Sequence, residues 1–157
     1  MKKIISILIL IFICQNLYTF ANVNERAYIE KGHAFLQKAV SNQNPELNLI
    51  YINKAKYFYY IASQNLPPSS EALTGLGRVY SMQDKYKEAK NTFFKAYSID
   101  PYNANTNFYF GEFLYKYSEY AEALKYFEIA QKLGFENASK NNEMINICKL
   151  KLGVITE

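Results

Sequence analysis

The sequence predicts an all-α stack of short helical hairpins, and three observations carry that prediction. Gly77, Ala89, Phe93 and Ala96 recur as Gly111, Ala123, Phe127 and Ala130, each displaced by 34 residues. A fixed period of that length marks a stacked repeat rather than one closed core. From residue 24 onwards the apolar residues follow helical spacing, without the alternation of a strand. Finally, Pro67-Pro68-Ser69-Ser70 and Asp100-Pro101-Tyr102-Asn103 cut the chain where a repeat should end.

Residues 1–21 stand apart from the stack. Lys2 and Lys3 begin a segment whose run from Ile4 to Ile13 is apolar except for Ser6. Thr19-Phe20-Ala21 then places small residues where a signal peptidase reads them. This pattern is that of a secretory signal peptide cut after Ala21. Two alternatives stay open. The segment could persist as an anchor, although the run is short for a span of ~20 residues. Cys14 could be lipidated, although Ile13 stands where a small residue is wanted. If Cys14 is removed, Cys148 is the single remaining thiol. It cannot form an internal disulfide and reads as a small core residue.

Seven helices are expected, at about 24–41, 45–64, 70–82, 85–98, 104–116, 119–132 and 137–152. Between the first two, Asn44 and Pro45 read as an N-cap and a first-turn proline. This first pair is longer than the others. It either projects as two long helices with Ser41–Asn44 at the tip, or carries a flexible loop there. Asp84 and Ser118, 34 residues apart, are each placed to cap the helix that follows. Gly134 stands where a left-handed helix end is wanted. The last helix has Met144, Ile145, Cys148 and Leu152 on one side and Lys140, Asn142, Glu143, Asn146, Lys149 and Lys151 on the other. That is the polar-backed cap a terminal repeat requires.

The repeat itself resembles the tetratricopeptide repeat family. One copy shows Leu76-Gly77, Tyr80, Ala89, Phe93, Ala96 and Pro101. The next shows Phe110-Gly111, Leu114, Ala123, Phe127 and Ala130. An earlier, longer copy shows Gly32, Phe35, Ala55, Tyr59, Ala62 and Pro67. The family's early Trp is replaced by Tyr28, Leu73 and Asn107, and Phe135 replaces the closing proline of the last copy. The resemblance implies a short right-handed superhelical solenoid of three hairpins plus a C-terminal capping helix. Its repeats would cover about 24–69, 70–103 and 104–137 within a domain of residues 22–157, with the capping helix over 137–152.

Packing logic agrees. Gly32, Gly77 and Gly111 allow a second helix to approach closely. Ala55, Ala89 and Ala123 are the small residues facing them, and Tyr59, Phe93 and Phe127 fill the space towards the next hairpin. All nine are structural rather than binding residues.

Catalytic signals are weak. His33 is the one histidine, no metal-ligand spacing is present, and no phosphate loop or nucleophile elbow appears. No catalytic residue, metal or cofactor is expected. An enzyme would need carboxylates such as Glu71 and Glu112 brought close together. The formal charge is +4, of which Lys2 and Lys3 supply two, and the remaining charges are interspersed along helices. That gives no clustered basic face for nucleic acid.

In the family, the first helix of each hairpin lines a concave face. The matching positions are Arg26, Ile29, His33 and Gln37, then Glu71, Thr74, Arg78 and Met82, then Asn105, Phe108, Glu112, Tyr115 and Lys116. Phe108 and Tyr115 read equally as core residues. The positions by which one subclass grips chaperone C-termini hold Ile29, His33, Gly75, Asn105 and Tyr109, so that clamp is absent. The expectation is a non-enzymatic protein-interaction module of the bacterial cell envelope, an adaptor or assembly factor holding a peptide or helix in its groove. It would be exported to the periplasm or beyond, with membrane contact if the N-terminal segment is retained or lipidated. The alternative is a membrane-tethered spacer or self-associating component without a peptide ligand.

Overall fold

The computed structural model describes residues 2–65 and 67–154, with seven α-helices and no strand among them. They are α1 (Lys2–Ser41), α2 (Pro45–Ser63), α3 (Ser70–Met82), α4 (Tyr86–Ile99), α5 (Ala104–Lys116), α6 (Tyr120–Lys132) and α7 (Ala138–Lys151). Each of α1–α2, α3–α4 and α5–α6 packs as a hairpin, and α7 packs on α6. The first helices α1, α3 and α5 touch one another along one side of the stack. The architecture is therefore an all-α solenoid.

The first helix starts far earlier than residue 24. No glycine or proline interrupts the chain between Lys2 and Lys31, so nothing local stops the helix from running on. Ile7, Ile9, Leu10, Ile11 and Ile13 on its first half are exposed. The side chains of Cys14 and Thr19-Phe20-Ala21, on which lipidation or cleavage turns, lie outside those described. No described helix is long and apolar enough to cross a membrane.

The first hairpin consists of two long helices joined by residues 42–44, not of a long loop. Asn44 stops one and starts the other. Its Oδ1 accepts from the Glu46 and Leu47 amides at 2.9 and 3.3 Å, and Pro45 opens the helix. Ser69, Asn103 and Asn137 cap α3, α5 and α7 in the same way.

Asp84 and Ser118 do something different from what their position suggests. Neither caps a helix, and α4 and α6 begin without a side-chain cap. Both residues have positive φ, 55° and 64°. The amide of the following residue reaches back to the Tyr80 and Leu114 carbonyls, at 3.0 and 2.9 Å. This is the left-handed helix end that satisfies orphan carbonyls. Gly134 closes α6 by the same geometry, as expected, with φ 75°.

Aromatic rings, rather than alanines, lie against the repeat glycines. A Cβ on Gly111 would stand 2.8 Å from the Phe127 ring, and one on Gly32 would stand 2.7 Å from the Tyr59 ring. Gly75 meets that same ring from the following hairpin. The buried residues form two clusters. One joins α1, α2 and α3 around Tyr59 and Leu36; the other joins α4 to α7 around Phe93, Phe113 and Phe127. Tyr80 packs against both. Each buried ring contributes about 1.5–3 kcal/mol relative to exposure.

In α7, Ile145 and Cys148 are buried and Met144 packs beside them. Burial pushes the Cys148 thiol up, which keeps it protonated and inert. Leu152, by contrast, is exposed because it is the C-cap. Asn141 takes the inward place and donates to the Phe127 carbonyl at 3.0 Å.

Candidate protein-binding groove

Connected recesses run along α1, α3 and α5. The largest, of about 1170 Å³, lies between α1 and the chain segment that opens α3; Arg26, Glu30, His33, Gln37 and Glu71 line it. A second, of about 340 Å³, shares His33 and Glu71 and adds Arg78, Asn105, Tyr109 and Glu136. A third, of about 430 Å³, shares Asn105, Tyr109 and Glu136 and ends at Lys140. The shared residues make these one continuous surface.

Its centre is organised by two contacts between successive hairpins. His33 Nε2 lies 3.3 Å from Glu71 Oε1, joining α1 to α3. The hydrogen bond from His33 holds the Glu71 carboxyl below the usual carboxylate range, against partial burial. The Arg78 guanidinium lies 3.7 Å from the centroid of the Tyr109 ring, joining α3 to α5. Such stacking keeps the cation planar to the wall and its N–H groups free at the edge. Beneath them, the buried Thr74 and Thr106 hydroxyls meet at 2.7 Å.

The thirteen positions implied by the family pattern separate accordingly. Arg26, His33, Gln37, Glu71, Arg78 and Asn105 line the groove. Ile29, Thr74 and Phe108 are buried and form its floor, so they do not offer free side chains to a partner. Phe108 is withdrawn because Phe135 stacks on it at 4.0 Å, where the family has a proline. Met82 packs on the first core cluster. Tyr115 packs on the second and against Tyr120. Lys116 donates to the Ser81 carbonyl at 2.7 Å and to Asp84 at 2.6 Å, and so locks the α3–α4 turn. Glu112 accepts from Lys140.

Glu25, Glu30, Tyr109, Glu136 and Lys140 are among the groove residues that sequence reasoning missed. Tyr109 was visible as the 34-residue counterpart of Gly75. Glu136 stands at the closing end of the last repeat and Lys140 lies past it, where the period gives no guide.

As chemistry, the surface alternates cations and carboxylates with amides and the part-exposed Tyr109 ring. Glu71 and Glu112, which an acid–base pair would bring together, are instead engaged by His33 and Lys140 respectively. No group of three or more metal-ligating side chains occurs among the described residues.

Solved structures share this architecture. An O-GlcNAc transferase mutant of Thermobaculum terrenum matches with a TM-score of 0.67 at 16% identity, covering 82% of this chain and 22% of that one. PilF of Pseudomonas aeruginosa matches with 0.65 at 24% identity, covering 85% and 55%. The type III secretion translocator chaperone SycD of Yersinia enterocolitica matches with 0.59 at 19% identity, covering 75% and 86%. The chain thus spans about a fifth of the transferase and about half of PilF. At these identities the likeness establishes the fold, a tetratricopeptide-like helical solenoid. No family model and no curated protein matches the chain.

Proposed function

We propose that this chain is a non-enzymatic protein-interaction module that holds a peptide or helix of a partner protein in its concave groove. The observation that carries the reading is the Arg78–Tyr109 stack at the middle of a continuous groove. A part-exposed ring with a guanidinium stacked on it is the kind of anchor that dominates binding energy. The alternating charges around it suit a partner's backbone and mixed side chains.

The setting we propose is the bacterial cell envelope, with the module acting as an adaptor or assembly factor. Residues 1–21 would direct export and leave after Ala21, so that residues 22–157 form the working domain. The motivating features are the basic start and the apolar run of the N-terminal segment. A second reading, a membrane-tethered spacer, draws on the unbroken course of α1 from Lys2 to Ser41. The intact mass of the native protein separates the two, because a start at Asn22 removes the tether.

The groove is tested by capturing partners from native envelope extract with the parent and with an Arg78→Ala/Tyr109→Ala variant that still melts cooperatively. A partner held by the parent and lost by the variant supports the groove. Equal capture by both moves the site to another face.

A further inference from the structure

The end of the solenoid formed by α1 and α2 does not look like an end. A terminal repeat needs a polar outer face, because no neighbour covers it. At the other end α7 obeys this rule, with Asn142, Glu143 and Asn146 exposed. The first hairpin instead presents an aromatic ladder. Tyr28, Phe58, Phe35 and Tyr51 alternate between α1 and α2, with successive centroids 6.2, 5.6 and 6.3 Å apart. All four rings are part-exposed. Tyr57, Ile50 and Leu47 extend the same side of α2 and are exposed.

Lysines are set among these rings. Lys31 Nζ lies 5.6 Å from the Phe58 centroid, Lys38 Nζ lies 5.4 Å from Phe35, and Lys54 Nζ lies 5.2 Å from Phe35. Their stems cover apolar surface while their ammonium groups stay in solvent. No carboxylate shares the ladder. Glu25 and Glu30, the acids of α1, line the groove instead. The one acid of α2, Glu46, stands in its first turn at the hairpin tip.

We infer that this ladder face docks on an anionic phospholipid surface. Part-exposed tyrosine and phenylalanine rings with snorkelling lysines are the composition that settles at a headgroup boundary. The lysines supply the attraction to negative lipid. A second copy of the chain fits less well, since two such faces would oppose lysine to lysine without a carboxylate between them.

The test uses the full chain with vesicles of phosphatidylcholine, alone and with increasing phosphatidylglycerol, read by sedimentation. Binding is expected to rise with the phosphatidylglycerol fraction and to fall with salt. The Lys31→Gln/Lys38→Gln/Lys54→Gln variant is expected to lose about fivefold per lysine, about 100-fold in all, on the anionic vesicles. A control with Lys87, Lys125 and Lys132 changed to Gln removes the same charge from other exposed sites and should bind like the parent. Equal binding by parent and ladder variant would overturn the inference, as would equal losses in ladder variant and control. Lysine-dependent capture by polyglutamate without vesicle binding would also overturn it, and would assign the face to an acidic protein segment.

Discussion

Tyr59 lies across Gly75 so closely that a Cβ on the glycine would stand 2.2 Å from the ring. The ring comes from the first hairpin and the glycine from the second, so this contact sets how near the two hairpins stack. Gly→Ala in a helix ordinarily gains about 1 kcal/mol. Here overpacking reverses the sign, and Gly75→Ala should destabilise by about 2–3 kcal/mol. Tyr59→Leu shortens the ring away. The double variant should therefore be more stable than the sum of the two losses predicts. Denaturant titration of the four proteins measures it, and simple additivity would refute the contact's role.

The same ring carries a hydroxyl that is buried without a partner. Burial pushes its pKa far above the usual tyrosine value. The native state therefore holds this proton more tightly than the unfolded chain does. Stability is unaffected below the ordinary value of ~10 and falls as pH rises beyond it. Tyr59→Phe removes both the orphan hydroxyl and this linkage. We expect the variant to be at least as stable as the parent at pH 7 and to lose less stability between pH 9 and 11. A variant with the parent's full alkaline loss would contradict this.

Asp84 and Ser118 occupy equivalent turns with the same left-handed backbone, yet their substitution by glycine should differ. Left-handed φ costs a residue with a Cβ about 1–2 kcal/mol. Ser118 offers little in return beyond accepting from Tyr120 Oη at 3.2 Å. Ser118→Gly should raise stability by about 0.5–1 kcal/mol after the entropy cost of glycine. Asp84 accepts from Lys116, which also holds the Ser81 carbonyl. Asp84→Gly forfeits that tie, so its gain should be smaller or negative. Equal melting shifts for the two variants would mean that the Lys116 tie contributes nothing.

These two turns also show how far the sequence could be read. The helices were legible because the apolar period and the 34-residue spacing reinforce each other. The turn residues were misread because aspartate and serine are better known as N-caps, and nothing local distinguishes a capping oxygen from a strained φ. The groove was half legible for a similar reason. Repeat register finds Arg78, but it also marks Phe108 as a wall residue. Only the ring of Phe135, standing where the repeat's closing proline would be, decides that Phe108 is floor. The stop of α1 was legible at Ser41, where Asn44 and Pro45 follow, whereas its start was not, because no cap or breaker precedes residue 24.

A consequence for the groove is that binding and folding should separate cleanly along that wall and floor. Arg78→Ala and Tyr109→Ala each remove half of the stack and should weaken the captured partner about 10- to 30-fold, Arg78→Ala with little change in melting and Tyr109→Ala with a loss of about 1 kcal/mol, because its ring packs edge-on to Phe108 at 5.4 Å. Together they should cost less than the sum, because each loss already breaks the same stack. Phe108→Ala should instead cost about 3–5 kcal/mol of stability, since its ring is buried against Phe127 and Phe135. A stable Phe108→Ala protein with selectively lost binding would return Phe108 to the wall.

The acid side of the stability curve should report on Glu119. Burial pushes its carboxyl up, but hydrogen bonds from Lys90 and Tyr86 outweigh this and leave it below the usual carboxylate range. Lys90 Nζ donates to Oε2 and Tyr86 Oη donates to Oε1, both at 2.6 Å. These bonds join the second hairpin to the start of α6, so they act between repeats rather than within one. A depressed carboxylate stabilises the fold above its ordinary value of ~4.3, and the contribution fades as pH falls through the lower folded value. Glu119→Gln keeps the shape and removes the charge. It should cost about 1 kcal/mol between pH 5 and 8, and the difference from the parent should shrink below pH 4. Glu71 and Asp84 are lowered as well, but they remain in both proteins and cancel in the difference. A gap that stays constant down to pH 3 would show that the network acts through shape alone.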